Sequence, residues 1–160
     1  MNNHNEIHTA KTASLVRVVF KLDKSDWHEH GTETMWAEPL GHDRYRLENI
    51  PFYVYGISYG DTVVAKMTGG LLFFQNVSQN GGHSTYRIFL AQGITDNEFA
   101  KHWNALESLG CTYERATERL LAVDVPPEAD IYKAYEALGQ GLTAQAWDFE
   151  EGHCGHQLNR

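Results

Sequence analysis

Between residues 83 and 151 the hydrophobic period switches back and forth between two and three-to-four residues. That alternation limits the architecture more than any other property of the chain. HSTYRIFLA (83–91) reads as a strand. Thr95 with Glu98 three residues on forms a capping box. Phe99, Trp103, Leu106 and Leu109 then recur at helical spacing, and Gly110 stands where a C-terminal cap belongs. CTYERAT (111–117) and RLLAVDV (119–125) read as two further strands. The second has Leu121, Val123 and Val125 on one face, Asp124 on the other, and Pro126-Pro127 as its stop. Ile131, Tyr135, Leu138 and Leu142 predict a second helix with a buried stripe. AWDFEE (146–151) predicts a last strand with Trp147 and Phe149 on one side. Strand, helix, strand, strand, helix, strand is the ferredoxin-like order.

The first half has no helical period. SLVRVVFKL (14–22), TETMWAEPL (32–40), RYRLENI (44–50), residues 62–67 and LLFFQNV (71–77) read as short strands between turn clusters. In the second of these Met35 and Ala37 share one face, and Trp36 and Glu38 the other. Gly56 and Gly60 break PFYVYGISYGD and mark a bend. The expected fold is α+β. A small curled antiparallel sheet or partial barrel (14–82) precedes the ferredoxin-like βαββαβ unit (83–151), between a disordered N-terminus (1–13) and a flexible tail (152–160). Charge divides at the same place. Residues 1–82 hold seven Lys and Arg against nine Asp and Glu, and residues 83–160 hold six against twelve.

With 160 residues, 42% hydrophobic and 21% charged, the chain suits one domain or two small ones. A net charge of −8 disfavours nucleic-acid backbones and anionic membranes and favours a basic protein partner. The aromatic stretch 51–65 contains no Lys or Arg, so it does not resemble a platform for single-stranded nucleic acid. MNNHNEIHTAKTA has no apolar core of a secretory signal, and no apolar run approaches a membrane span. Cys111 and Cys154 make no disulfide framework. The expected location is a reducing cytoplasm.

No reactive constellation stands out. Gly56, Ser58 and Gly60 in YGISYGD have the spacing G-x-S-x-G, but Ser58 lacks the strand-turn-helix context of a nucleophile elbow. The glycines of that segment precede a strand and those of LGQGL end a helix, the wrong places for a phosphate cradle. His28 and His30 in WHEHG, and His153, Cys154 and His156 in GHCGH, match no zinc spacing and read as a solvated loop and a frayed tail. Glu150 and Glu151 are strand neighbours on opposite faces and read as a solvated edge. Asp61 reads as a turn residue bonded to nearby backbone, and Asp124 as a blunted edge or a helix cap. No catalytic residue, cofactor or metal is expected.

Residues 33–65 resemble the bacterial domain-of-unknown-function family 4265. The resemblance is carried by Trp36, Ala37, Glu38 and Pro39, by Pro51 and Phe52, and by Tyr55, Gly56, Ser58, Gly60, Asp61 and Val63. Gly110-Cys111 and the run from Ala122 to Pro126 extend it over roughly residues 15–150. It implies a shape and no mechanism. Small acidic proteins of this kind resemble immunity partners of bacterial polymorphic toxins. The favoured expectation is thus a non-enzymatic acidic binding protein that neutralises a basic toxin domain, with Glu114, Glu118, Asp148, Glu150 and Glu151 as contacts. The alternative is a small-ligand sensor or enzyme. Its pocket would lie between the halves, lined by Tyr53, Tyr55, Ser58, Tyr59 and Asp61, with Trp36, Glu38 and Phe52 in the same motif.

Overall fold

Five strands occupy the first half of the chain: β1 (Val16–Lys21), β2 (Thr32–Gly41), β3 (Arg44–Leu47), β4 (Thr62–Thr68) and β5 (Leu71–Gln79). The structure, a computed structural model, describes residues 15–159; the segment expected as a disordered N-terminus lies outside them. Each strand runs antiparallel to the one before it. Successive reversals leave β1 and β5 pointing the same way, so the ring closes through a parallel pair, Val18 opposite Leu72 and Val19 opposite Phe73. The curled sheet is therefore a closed barrel, without the edges a partial one would keep. Alternation decides what enters it. Val18, Phe20, Met35, Ala37, Leu47, Val63 and Ala65 fill the interior, and Trp36 stands outside. Glu33 shares the parity of Met35 and Ala37 and is buried with them.

The second half contains β6 (Ser84–Leu90), α1 (Asp96–Ser108), β7 (Thr112–Arg115), β8 (Leu120–Val125), α2 (Ile131–Thr143) and β9 (Trp147–His153). Its sheet has the order β7-β8-β6-β9 with every pair antiparallel, as the ferredoxin-like reading requires. Thr95 and Glu98 form the capping box reciprocally, Gly110 ends α1 at φ +91°, and Asp130 caps α2. Tyr86, Ile88, Leu90, Leu121, Val123 and Val125 face Phe99, Trp103, Leu106 and Leu138 of the helices. All six residues of β8 are buried, so its other face is covered as well.

The buried side of α2 differs from the expected stripe. Ile131 and Leu138 are inside, but Tyr135 is 57% and Leu142 46% exposed. The side facing the sheet is Ile131, Ala134, Ala137, Leu138 and Gly141. Trp147 is the cause. Its indole donates to the Leu138 carbonyl at 3.0 Å and lies against Gly141, where an added Cβ would fall 2.1 Å from the ring. Small residues bring α2 close to β9, and this turns the larger ones outward.

The expected tail differs too. β9 runs to His153, and the chain then packs back on the fold. Buried Ser84 accepts the Gly155 N–H at 3.0 Å and meets His156 Nδ1 at 2.7 Å. His156 Nε2 reaches the Pro126 carbonyl at 3.0 Å.

Two glycines of α2 separate intrinsic helix propensity from packing. Nothing lies within 4 Å of a Cβ at Gly139, whereas one at Gly141 collides with Trp147. Chemical denaturation of Gly139→Ala is expected to show a gain of about 0.5–1 kcal/mol. Gly141→Ala is expected to lose about 1–3 kcal/mol by overpacking.

Candidate functional site

The β3–β4 connection, residues 48–61, has no regular structure, yet Ile50, Val54, Ile57, Ser58 and Asp61 are buried in it. Irregular backbone can be buried only where its N–H and C=O groups find partners. Two opposite charges supply them. Glu33 of β2 accepts the N–H groups of Phe52, Tyr53 and Val54 at 2.6, 2.9 and 2.9 Å. Arg87 of β6, fully buried, donates Nε to the Phe52 carbonyl at 2.7 Å and Nη2 to the Val54 carbonyl at 2.6 Å. Thr85, Arg87 and Phe89 project from the face of β6 opposite Tyr86, Ile88 and Leu90. The barrel thus holds the donors of residues 52–54 and the second sheet holds their acceptors.

Further contacts extend this junction. The Arg87 guanidinium lies 4.9 Å from the centre of the Tyr55 ring and 3.9 Å from Glu150. Gly152 makes room for it, since a Cβ there would fall 1.6 Å from Nη1. Tyr55 Oη accepts from Trp27 Nε1 at 2.9 Å and donates to Glu150 at 2.8 Å. Gly56, at φ +81°, donates its N–H to the Gly152 carbonyl. Ser58 Oγ sits between His153 Nδ1 at 2.8 Å and the Thr85 hydroxyl at 2.7 Å. Asp61 accepts the N–H groups of Ser58 and Gly81, both at 2.8 Å, the turn role its sequence context implies.

His83 closes the other end. Its Nδ1 lies 2.8 and 3.0 Å from the two oxygens of Asp124, and its ring stands edge-on to Tyr59 at 5.1 Å. The hydrogen bond to Asp124 raises the His83 pKa above 6.5, against the opposing effect of burial. Asp124 therefore neither blunts an edge nor caps a helix: β8 is an inner strand, and its polar face meets the barrel unit. Glu114 accepts the Ile50 N–H at 2.8 Å, and burial raises its pKa.

Several of these groups are of types that do chemistry, but they are placed as structure. Ser58 and Ser84, each beside a histidine, have no exposure. Burial pushes the Cys111 thiol up to about 12, so it is no thiolate near neutral pH. Among the described residues no three His, Cys, Asp or Glu side chains gather as metal ligands.

Phe52, Tyr55, Ser58, Tyr59 and Asp61 all lie on the junction segment. Ser58 and Asp61 fill the space between the units rather than lining a pocket there. Trp36 and Glu38 sit at the root of the segment. Trp36, beneath the Arg17 guanidinium, accepts the Glu48 N–H on its carbonyl and donates its own N–H to the Asn49 side-chain Oδ1, and Glu38 pairs with Arg46. Of the five carboxylates expected to meet a partner, Glu114 and Glu150 are engaged within the chain, Glu151 is exposed but accepts the Tyr86 hydroxyl at 3.3 Å, and Glu118 and Asp148 are exposed. In WHEHG, Trp27, Glu29 and His30 are exposed, but the His28 side chain is only 1% exposed and packs on Tyr53. Glu33, His83, Arg87, His153 and His156 were not foreseen. Two of them left a signal: the parity of Glu33 with Met35 and Ala37, and a lone charge inside the apolar strand around Arg87.

The family model for a domain of unknown function, DUF4265, matches residues 33–149. No curated protein matches the chain. A hypothetical protein from Neisseria gonorrhoeae, known from its crystal structure, has a similar fold. The TM-score is 0.72 at 18% identity, over 90% of this chain and 96% of that one.

Arg87→Met leaves Glu33 without its counter-charge and the two carbonyls without donors, so urea titration is expected to show a loss of about 3–5 kcal/mol. Glu33→Gln retains one acceptor oxygen for three donors and is expected to lose about 1–3 kcal/mol. The His83–Asp124 pair gives a pH dependence of known sign. The folded-state pKa lies above the unfolded value near 6.5. Its stabilisation is therefore complete below that value and is lost as pH rises through the folded one. Melting temperature against pH should show this decline, and Asp124→Asn should flatten it.

Proposed function

The chain belongs to the DUF4265 family, and from that premise and the geometry we propose a non-enzymatic acidic binding protein. More specifically, it is an immunity protein that neutralises a basic toxin domain by occupying its surface. The outer surface of α2 and β9 carries the reading. Tyr132, Tyr135 and Leu142, a stripe at helical spacing, are 51%, 57% and 46% exposed. Tyr135 packs on Phe149 of β9 at 5.7 Å, and β9 is an edge strand with Asp148 and Glu151 exposed. Exposed tyrosines beside carboxylates and a free strand edge suit a partner that is basic and apolar by turns.

Two facts support this choice over turnover. Ser58 is bonded to His153 across the two halves, Ser84 to His156 and His83 to Asp124 within the second half, and Cys111 is packed in its core. The net charge of −8 favours encounter with a cationic surface. No helix among the described residues is long and apolar enough to cross a membrane. In this reading the encounter takes place in the cytoplasm.

Co-expression with the basic product of the adjoining gene tests the proposal. A stable heterodimer on size exclusion and rescued growth are expected. Tyr135→Ala should weaken the complex by about 2 kcal/mol, roughly thirtyfold. Asp148→Lys with Glu151→Lys should slow association and reduce its salt dependence. A toxic neighbour that neither binds nor is neutralised overturns the proposal.

A further inference from the structure

A cleft of about 390 Å³ opens where the β1–β2 connection meets the end of the second sheet. Aromatic rings form its walls. Trp27 stands edge-on to Phe89 at 5.0 Å and lies 5.9 Å from Tyr53. Tyr53 in turn lies 5.0 Å from His28 and 4.4 Å from His30. Arg119 is the one lining residue with a permanent charge. Concave, mainly aromatic sites of this size with a few polar groups are the usual form of small-molecule sites.

Two polar side chains there are incompletely matched. His28 Nδ1 accepts the His30 N–H at 2.9 Å, which puts the proton of the neutral ring on Nε2. That buried nitrogen has no hydrogen-bond partner among the described residues. The nearest carboxylate oxygen, on Asp26, is 3.8 Å away and beyond hydrogen-bond reach. Buried donors without acceptors are rare in folded proteins. Arg119 anchors Nε on the Leu90 carbonyl at 2.8 Å. This holds the planar guanidinium, whose fork suits a carboxylate, at the edge of the cleft.

An unmatched neutral donor, a fixed cation and flat apolar walls define a complementary ligand: planar, apolar and bearing an anionic acceptor. We propose that this cleft binds a small aromatic carboxylate. Its ring lies against Trp27, Tyr53 and Phe89, and its carboxylate is taken by Arg119 and His28 Nε2. The local charge runs against that of the chain as a whole, which selects for a ligand whose ring also fits. None of these residues belongs to the α2–β9 surface, so this inference does not rest on the partner-binding reading.

Titration of the full chain with 2-naphthoate, followed by NMR at the Trp27 indole N–H and the histidine rings and by calorimetry, tests it. Saturable shifts at Trp27, His28 and His30 are expected, with no response to acetate. The neutral isostere 2-naphthylmethanol should bind about tenfold more weakly or worse, the usual penalty for losing a charge-assisted hydrogen bond. Arg119→Gln should weaken 2-naphthoate by a similar factor. Equal affinity for acid and alcohol, shifts confined to other surfaces, or no saturation up to the solubility limit overturns the proposal. The acid–alcohol comparison needs no variant and stands even where Arg119→Gln fails to fold.

Discussion

Three residues of irregular backbone, Phe52 to Val54, are held by a carboxylate on one side and a guanidinium on the other, and the rest of the molecule depends on that clamp. Glu33 takes their N–H groups and Arg87 takes two of their carbonyls. Either charge alone, buried, is strongly unfavourable; here each is bonded to the peptide groups of one segment, and the two opposite charges attract across it. The barrel supplies one and the ferredoxin-like sheet the other. The two halves are therefore joined through a shared hydrogen-bonded layer rather than resting side by side. The sheet has three-layer character as a result: helices on one face, the β3–β4 connection on the other.

That layer also uses several residues of types that carry catalysis elsewhere. A serine beside a histidine, or a histidine oriented by an aspartate, is read as reactive when it opens on a cleft. Here the Ser58–His153 and Ser84–His156 pairs tie the end of β9 and the residues after it to the barrel connection and to the start of β6. The His83–Asp124 pair secures the β5–β6 link against the inner strand β8. Each satisfies polar groups that the junction takes out of water, as buried polar groups require.

The order of elements was legible because it rests on local period, caps and turns. The βαββαβ unit, the capping box at Thr95, the cap at Gly110 and the inward face of β2 all follow from spacing along the chain. What was not legible depends on the third dimension. Barrel closure needs the β1–β5 pairing across more than fifty residues. The rotation of α2 depends on Trp147 meeting Gly141, and the roles of Asp124 and Glu150 depend on a second layer lying over the sheet. The motif from Pro51 to Asp61 was visible as a motif, and its bend and the turn role of Asp61 were legible, with a pocket as the alternative reading. Its partners Glu33 and Arg87 lie in strands far along the chain, and without them its purpose as filling cannot be seen.

The closed barrel has no strand edge, so the free edges belong to the second sheet, at β7 and β9. β7 is four residues long, too short to template much pairing, whereas β9 is seven. Along β9 Asp148 and Glu151 are exposed, while Glu150 is held by Tyr55. Two copies of the chain that met through this edge would bring carboxylates against carboxylates, which opposes pairing. The same carboxylates attract a cationic strand or loop. The edge thus resists self-association by charge, and in the proposed reading it is this edge that meets the basic partner. The exposed Tyr132 and Tyr135 beside it provide the apolar contact that charge alone does not.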